Sequence, residues 1–229
     1  GLKREAPRAV GALTGLTALN FGQCTRVYGD ALHGLLSLKR LRVLSLAECQ
    51  IYSRDLPRLA QLPALRELSL AGCPLVDHAM EDLAELTNLT VLSLRGGKWL
   101  SNSGLRYLSK LQQLNGLDIS GCTAVGDKGL RLQMTRLPKL TEVAASVRVV
   151  NPPPAVKQNC GVSLQARFAF DIMDDPLLQA QPGLMLRAAA RGSTFISSAS
   201  ISSSAASQLL IAADEQRSAA AAAASATNQ

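Results

Sequence analysis

Leucines return along the first 145 residues with a spacing that neither a long helix nor a long strand produces. The series L-x-x-L-x-x-L-x-L-x-x-C runs through Leu13, Leu16, Leu19, Phe21 and Cys24, then through Leu38, Leu41, Leu44, Leu46 and Cys49. It returns as Leu62, Leu65, Leu68, Leu70 and Cys73, and as Leu86, Leu89, Leu92 and Leu94 with Gly97 in the cysteine position. Leu111, Leu114, Leu117, Ile119 and Cys122 form the fifth set, and Leu137, Leu140 and Val143 begin a worn sixth that fades at Ala145. A period of 24–26 residues marks an array of short units, each burying its apolar face against its neighbours.

Within each unit the L-x-L core alternates with the period of a strand, so its leucines face inward and the intervening residues face outward. The second half of each unit reads as helical, with Leu56, Leu59 and Leu62, or Met80, Leu83 and Leu86, or Leu105, Leu108 and Leu111 sharing one apolar face. Asp30, Asp55, Asp77, Asn102 and Asp127 each stand just before such a series. Their recurrence once per unit predicts helix N-caps rather than metal ligands or catalytic carboxylates. Pro57 falls in a first helical turn, where a missing N–H is tolerated.

Cys24, Cys49, Cys73 and Cys122 share one position of the unit and are expected to stack inside the array as small apolar groups with a weak donor. Parallel Cβ vectors suit a disulfide poorly, and no C-x-x-C or neighbouring histidine pair offers convergent metal ligands. Reduced structural thiols point to an intracellular, cytoplasmic setting. Cys160, outside the units, receives no role.

"LDISGCTAVGDKGL" (117–130) and "LSLAGCPLVDHAMEDL" (68–83) resemble the cysteine-containing subclass of leucine-rich repeats, familiar from the substrate-receiving solenoids of F-box proteins. The resemblance covers Leu13 to Val143. It implies an α/β fold: a right-handed leucine-rich-repeat solenoid with a curved parallel sheet on the concave face, short helices on the convex face, and a non-repeat C-terminal extension. It also implies a role in binding other proteins on the concave face or its rim. F-box receptors carry a helical module ahead of their repeats. Only twelve residues precede Leu13 here, so a ubiquitin-ligase reading makes this sequence a fragment lacking that module. The organisation expected is a flank or remnant of an upstream repeat at 1–12, the solenoid at 13–145, a strand or cap region at 146–190 and a low-complexity Ser/Ala-rich tail at 191–229. No amino-terminal cap is evident, so the first strand is expected to be bare unless residues 1–12 or an upstream segment cover it.

Charge changes this picture little. Residues 1–145 hold 18 Lys/Arg against 12 Asp/Glu, dispersed rather than run together. That balance suits an acidic protein partner, or a structural place in a large assembly such as a ribonucleoprotein. Nucleic acid is a secondary partner by charge alone, without direct base readout. No apolar stretch approaches a membrane span. There is no phosphate-cradling glycine loop, G-x-S-x-G or H-E-x-x-H, so the reading is a non-catalytic protein-interaction scaffold without cofactor or metal.

Candidate contacts come from the outward columns. Ser45, Ser69, Ser93 and Asp118 form one, Glu67 lies in the next, and Arg42, Arg66 and Arg95 add forked donors for carboxylates. Trp99, the only tryptophan, sits beside Lys98 in the one irregular turn, "RGGKWLSNSG" (95–104). Aligning Leu100 with Val76 and Val125 at a buried position leaves Trp99 nearer solvent, where tryptophan is a frequent hot spot. The alternative is that Trp99 roofs the gap left by Gly97.

Beyond the units, "NPPP" (151–154) breaks regular structure. "GVSLQARFAFDIM" (161–173) alternates like a half-buried strand, with "SVRVV" (146–150) as its companion, and both are expected to seal the last rung or to dock on another subunit. A short helix is expected around Leu177 to Ala190, and nothing in the tail is patterned against a core.

Overall fold

The computed structural model describes residues 10–160, apart from Ala12, Gln23, Thr25, Arg26, Arg148, Val150 and Asn151, together with residues 195–196. The L-x-L cores form β1 (Ala18–Asn20), β2 (Val43–Ser45), β3 (Glu67–Ser69), β4 (Val91–Ser93), β5 (Gly116–Ile119) and β6 (Glu142–Ala145). All pair in parallel with their sequence neighbours, and the register sets Leu19, Leu44, Leu68, Leu92, Leu117 and Val143 in one row. Three-residue strands bury too little to stand alone; each depends on the next for its backbone bonds and its apolar floor. The observed ladder is therefore a leucine-rich-repeat solenoid on its own geometry.

The return halves are short. They form α1 (Ala31–Leu35), a 3₁₀ helix (Ser53–Gln61), α2 (Ala79–Leu83), α3 (Asn102–Leu105) running into a second 3₁₀ helix (Arg106–Lys110), and α4 (Asp127–Arg136). Each sends two apolar side chains, such as Leu32 and Leu35 or Met80 and Leu83, onto the leucine rows. A period near 24 residues leaves room for little more than one turn once the strand and its two corners are built. All the rung leucines join one core cluster.

The thiols form a ladder of their own. The Sγ of Cys49 donates to the Phe21 carbonyl at 3.2 Å, Cys73 to Leu46 at 3.1 Å, and Cys122 to Leu94 at 3.2 Å. Each of those carbonyls also receives the amide three residues on, so it uses both lone pairs across one seam. The Leu70 carbonyl receives the Cys73 amide but no thiol, since residue 97 is glycine. Burial pushes the Cys73 thiol up to about 12 and the Cys122 thiol up to about 11, and drives Cys49 upward as well, with the charges of Cys73 and Cys24 adding to it. They are free thiols. Cys24, at the amino-terminal end, is only partly buried.

One residue before the cysteine position the chain turns with positive φ: Gly72 (69°), Gly96 (71°), Gly121 (76°) and, without glycine, Glu48 (59°). A Cβ on Gly121 would lie 3.3 Å from the Gly96 backbone, so the corners stack as closely as the rungs do.

The recurring Asp and Asn residues are not chiefly helix caps. Asp77 accepts the Ser101 backbone N–H at 2.7 Å and its hydroxyl, and Asn102 Oδ1 accepts the Gly126 N–H at 2.9 Å; both bonds cross to the next repeat. Ser101, not Asn102, caps α3 through the Ser103 N–H at 3.1 Å. Asp30 stands at the N-cap of α1 without a side-chain capping bond, and Asp127 follows the Gly126 cap of α4. Asp55 serves its own helix start, accepting the Tyr52 N–H at 3.0 Å and pairing with Arg58 at 3.0 Å. Helices of four or five residues offer little dipole or N-terminal surface to cap, whereas the adjoining loop presents an N–H at the same height.

Two further expectations need correction. The next described strand after β6 is β7 (Lys157–Cys160), in register with it from Glu142 with Lys157 to Ala145 with Cys160, and Ser146, Val147 and Val149 of "SVRVV" lie outside the strands. Val149 and Val156 close over the core here, and the Gln158 amide bridges the Val147 carbonyl and the Val149 N–H. The proposed strand at 161–173 and helix at 177–190 lie outside the described residues. At the other edge β1 is not bare: β8 (Phe195–Ile196), from the stretch read as unpatterned tail, pairs with it in parallel. Val10 also packs into the core there.

Candidate protein-binding surface

The ten residues singled out from sequence fall on three surfaces of the sheet rather than one. Where the strands begin, the carbonyls of Thr17, Arg42, Arg66, Thr90 and Asn115 each accept two successive amides of the next repeat, as Arg42 does from Arg66 at 2.8 Å and Glu67 at 2.9 Å. The backbone of this margin is thus satisfied by the solenoid itself. What it offers a partner is the exposed side chains of Arg42 and Arg66, stacked one strand apart.

The sheet face opposite the core holds Ser45, Ser69, Ser93 and Asp118, in register across β2–β5. These four are buried, Asp118 completely, where the alternation had placed them facing outward to solvent. The polar side chains of this column serve the chain two residues on. Asp118 accepts the Ser120 N–H at 2.9 Å and the Ser120 hydroxyl, and Asn20 accepts the Gly22 N–H at 2.7 Å. These are side-chain-supported turns that steer the backbone out of the strand. Val43 and Val91 join Ala18 in a small apolar cluster on the same face, with half-buried Glu67 in their row. The turn signal was available in the sequence: Asn, Ser or Asp at a strand end, two residues before a turn.

Where the strands end, the geometry is different. Arg95, Lys98 and Trp99 are all exposed, Trp99 by 65%. Trp99 does not roof Gly97; the space beside that glycine is closed by the Cys122 sulfur and by Leu100. The backbone of Trp99 is fixed by a parallel bridge to Val76, so the indole stands on a braced strand-like segment. Leu100 and Val125 are buried as expected, but their counterpart in the third repeat is Leu75, with Val76 half-exposed, because that loop reaches the core one residue sooner.

A second such bridge joins Tyr28 to Gln50, the Gln50 N–H reaching the Val27 carbonyl at 3.0 Å. The Tyr52 hydroxyl donates to Gln50 Oε1 at 3.2 Å, and the Arg54 guanidinium lies 5.3 Å from the centre of the Tyr52 ring. Proline at 74, the position matching Gln50, has no N–H to continue this minor ladder. Tyr28, Tyr52 and Trp99, three of the five exposed large apolar side chains among the described residues, therefore share one margin. The sequence reading named Trp99 and missed the tyrosines, which lie in loops whose lateral stacking is set by the solenoid.

Among the described residues no group of three or more His, Cys, Asp or Glu could hold a metal ion, and no helix is long and apolar enough to cross a membrane. No protein-family model and no curated protein matches the chain. Solved structures do: a chain of the Rad7–Elc1 complex of yeast is 20% identical, with a TM-score of 0.48 over 64% of this chain and 40% of that one. An internalin (inlF) of Listeria monocytogenes is also 20% identical, with a TM-score of 0.40 over 65% of this chain and 55% of that one. This chain thus spans about two fifths and just over half of the lengths of those two. The fold rests on its own ladder of register-locked rungs, and that ladder makes this chain a leucine-rich-repeat solenoid.

Proposed function

We propose that this chain is a non-catalytic scaffold that binds another protein, with the strand-end margin around Trp99 as its anchor. The exposure of Trp99 carries the reading: a large aromatic side chain held open to solvent on a braced backbone loses little conformational freedom on binding and buries a large apolar area. Arg95 and Lys98 beside it favour a partner with carboxylates near its own anchor. Arg42 and Arg66, at the opposite margin, supply a second set of cations for a partner that spans the sheet. Free, high-pKa thiols suit the reducing interior of a cell, where we place the protein.

The test is affinity purification of the full chain at two salt concentrations with mass spectrometry, wild type beside Trp99→Ala and Arg95→Ala. A protein recovered by the wild type and lost by Trp99→Ala, while circular dichroism is unchanged, supports the reading. Equal recovery by the folded variant ends it. Recovery of nucleic acid that collapses at the higher salt would favour the ribonucleoprotein alternative, for which the excess of basic residues speaks.

A further inference from the structure

We propose that the outer, helical face of the third to fifth repeats is a self-complementary interface that pairs two copies of this chain about a two-fold axis at Tyr107. The buried pairs Met80 and Leu83, Leu105 and Leu108, and Leu130 and Gln133 hold three return helices in one alignment. The residues between the members of each pair therefore occupy equivalent outward places on successive repeats. One row holds Glu81, Arg106 and Arg131, all exposed. The next holds Asp82, Tyr107 and Leu132, of which Tyr107 is 38% and Leu132 41% exposed. In a third row Glu85, Lys110 and Arg136, also exposed, each stand directly before a buried leucine.

Charge changes sign along these rows. The helical half of the third repeat carries Glu81, Asp82 and Glu85 and no lysine or arginine, whereas α4 carries Lys128, Arg131 and Arg136 against Asp127 alone. Lys110 pairs with Glu85 at 2.9 Å. Glu81, Asp82, Arg131 and Arg136 make no ion pair among the described residues. Between the acidic and the basic ends lie the two exposed apolar side chains, Tyr107 and Leu132.

A purely acidic or purely basic partner would satisfy one end of this gradient and be repelled at the other. A second copy, turned end for end, satisfies both. With the two-fold axis in the plane of the face and parallel to the helices, Glu81 meets the partner's Arg131 and Glu85 meets the partner's Arg136, each pair formed twice. The Tyr107 rings meet at the axis with Leu132 to either side, which gives the charged rim an apolar centre. The two Arg106 side chains also meet there, each flanked by Glu81 and by the partner's Glu81. Exposed ion pairs are individually weak, so the dimer forms in the micromolar range and loosens with salt. This interface is separate from the Trp99 margin and stands independently of it.

The experiment is sedimentation of the full, nuclease-treated chain across the micromolar range at low and high salt, with circular dichroism to check each variant's fold. Wild type is set beside Glu81→Arg, Arg131→Glu and the Glu81→Arg/Arg131→Glu double variant, all at exposed positions that leave the core untouched. Wild type is expected to dimerise at low salt, and each single reversal to weaken the dimer at least ~10-fold. The double variant, whose swapped charges oppose each other again across the axis, is expected to return to within ~3-fold of wild type. A wild type that stays monomeric throughout would overturn the inference. So would a dimer indifferent to the single reversals, or a double variant that associates no better than either single one.

Discussion

The Asp77 carboxylate accepts the Ser101 backbone N–H at 2.7 Å, tying the third repeat to the fourth. The same carboxylate fills the space beside Gly104, where a Cβ would come within 2.5 Å of Oδ1. Other seams repeat the arrangement of one acidic or amide side chain against one bare glycine. Asn102 lies against Gly129, and at the first seam the order is reversed, with Asp55 against Gly29.

Asp77→Ala removes two bonds and leaves the Ser101 amide without its acceptor. A loss of about 1–3 kcal/mol in urea unfolding is expected, with a smaller loss for Asp77→Asn, which retains an acceptor oxygen. Gly104→Ala should cost a similar about 1–3 kcal/mol by overpacking. Equal stability of Asp77→Ala and wild type would show that the seam does not depend on this bond.

Glu48 occupies a corner where the next three repeats use glycine. Glu48→Gly removes the strain of a side chain at φ 59° but adds freedom to the unfolded chain, for a net gain of about 0.5–1 kcal/mol. Gly121→Ala should do the opposite and more strongly, because its Cβ also meets the Gly96 backbone. Thermal melts of the two variants in one buffer decide the point.

The buried thiols make stability fall in alkali. Their folded pKa values are raised above the unfolded value, so their contribution is fully present below about pH 9 and is lost as pH rises toward about 11 for Cys122 and about 12 for Cys73. Unfolding free energies measured from pH 8 to 11 should decline, and the slope should be shallower in Cys122→Ala than in wild type. The same burial predicts that iodoacetamide modifies Cys24 in the native protein well before Cys49, Cys73 or Cys122, as a peptide map after brief treatment would reveal.

Trp99 is the sole tryptophan and therefore a clean reporter. Its emission in the native protein should be solvent-like and readily quenched by acrylamide, and a captured partner should shift it to the blue and protect it. Native emission already blue-shifted and protected would contradict the exposed margin.

The ladder was legible from residues because it depends on local periodicity: Leu44, Leu68 and Leu92 stack as their spacing implies, and Cys49 and Cys73 fall inward with them. What escaped was whatever depends on the neighbouring repeat. Asp77 looks like a helix cap until Ser101 is placed beside it. Ser93 looks solvent-facing by alternation, yet it is buried in the fold. The clustering of Tyr28 and Tyr52 on the Trp99 margin arises from lateral stacking of loops with unequal lengths, which no single repeat encodes. β7 escaped because the segment Lys157–Cys160 lacks the apolar alternation that marks a half-buried strand.

The pairing of β8 with β1 has a consequence for the order of folding. Neighbouring rungs from β1 to β6 join residues 24 to 26 positions apart, so loop closure is cheap at every seam and the solenoid can zip from any of them. Ala18 and Phe195 are separated by 177 positions. That contact joins the two most distant of the described strands, so β8 is the last of them added as the chain leaves its synthesis. Until residue 196 has been made, β1 lacks its pairing with β8.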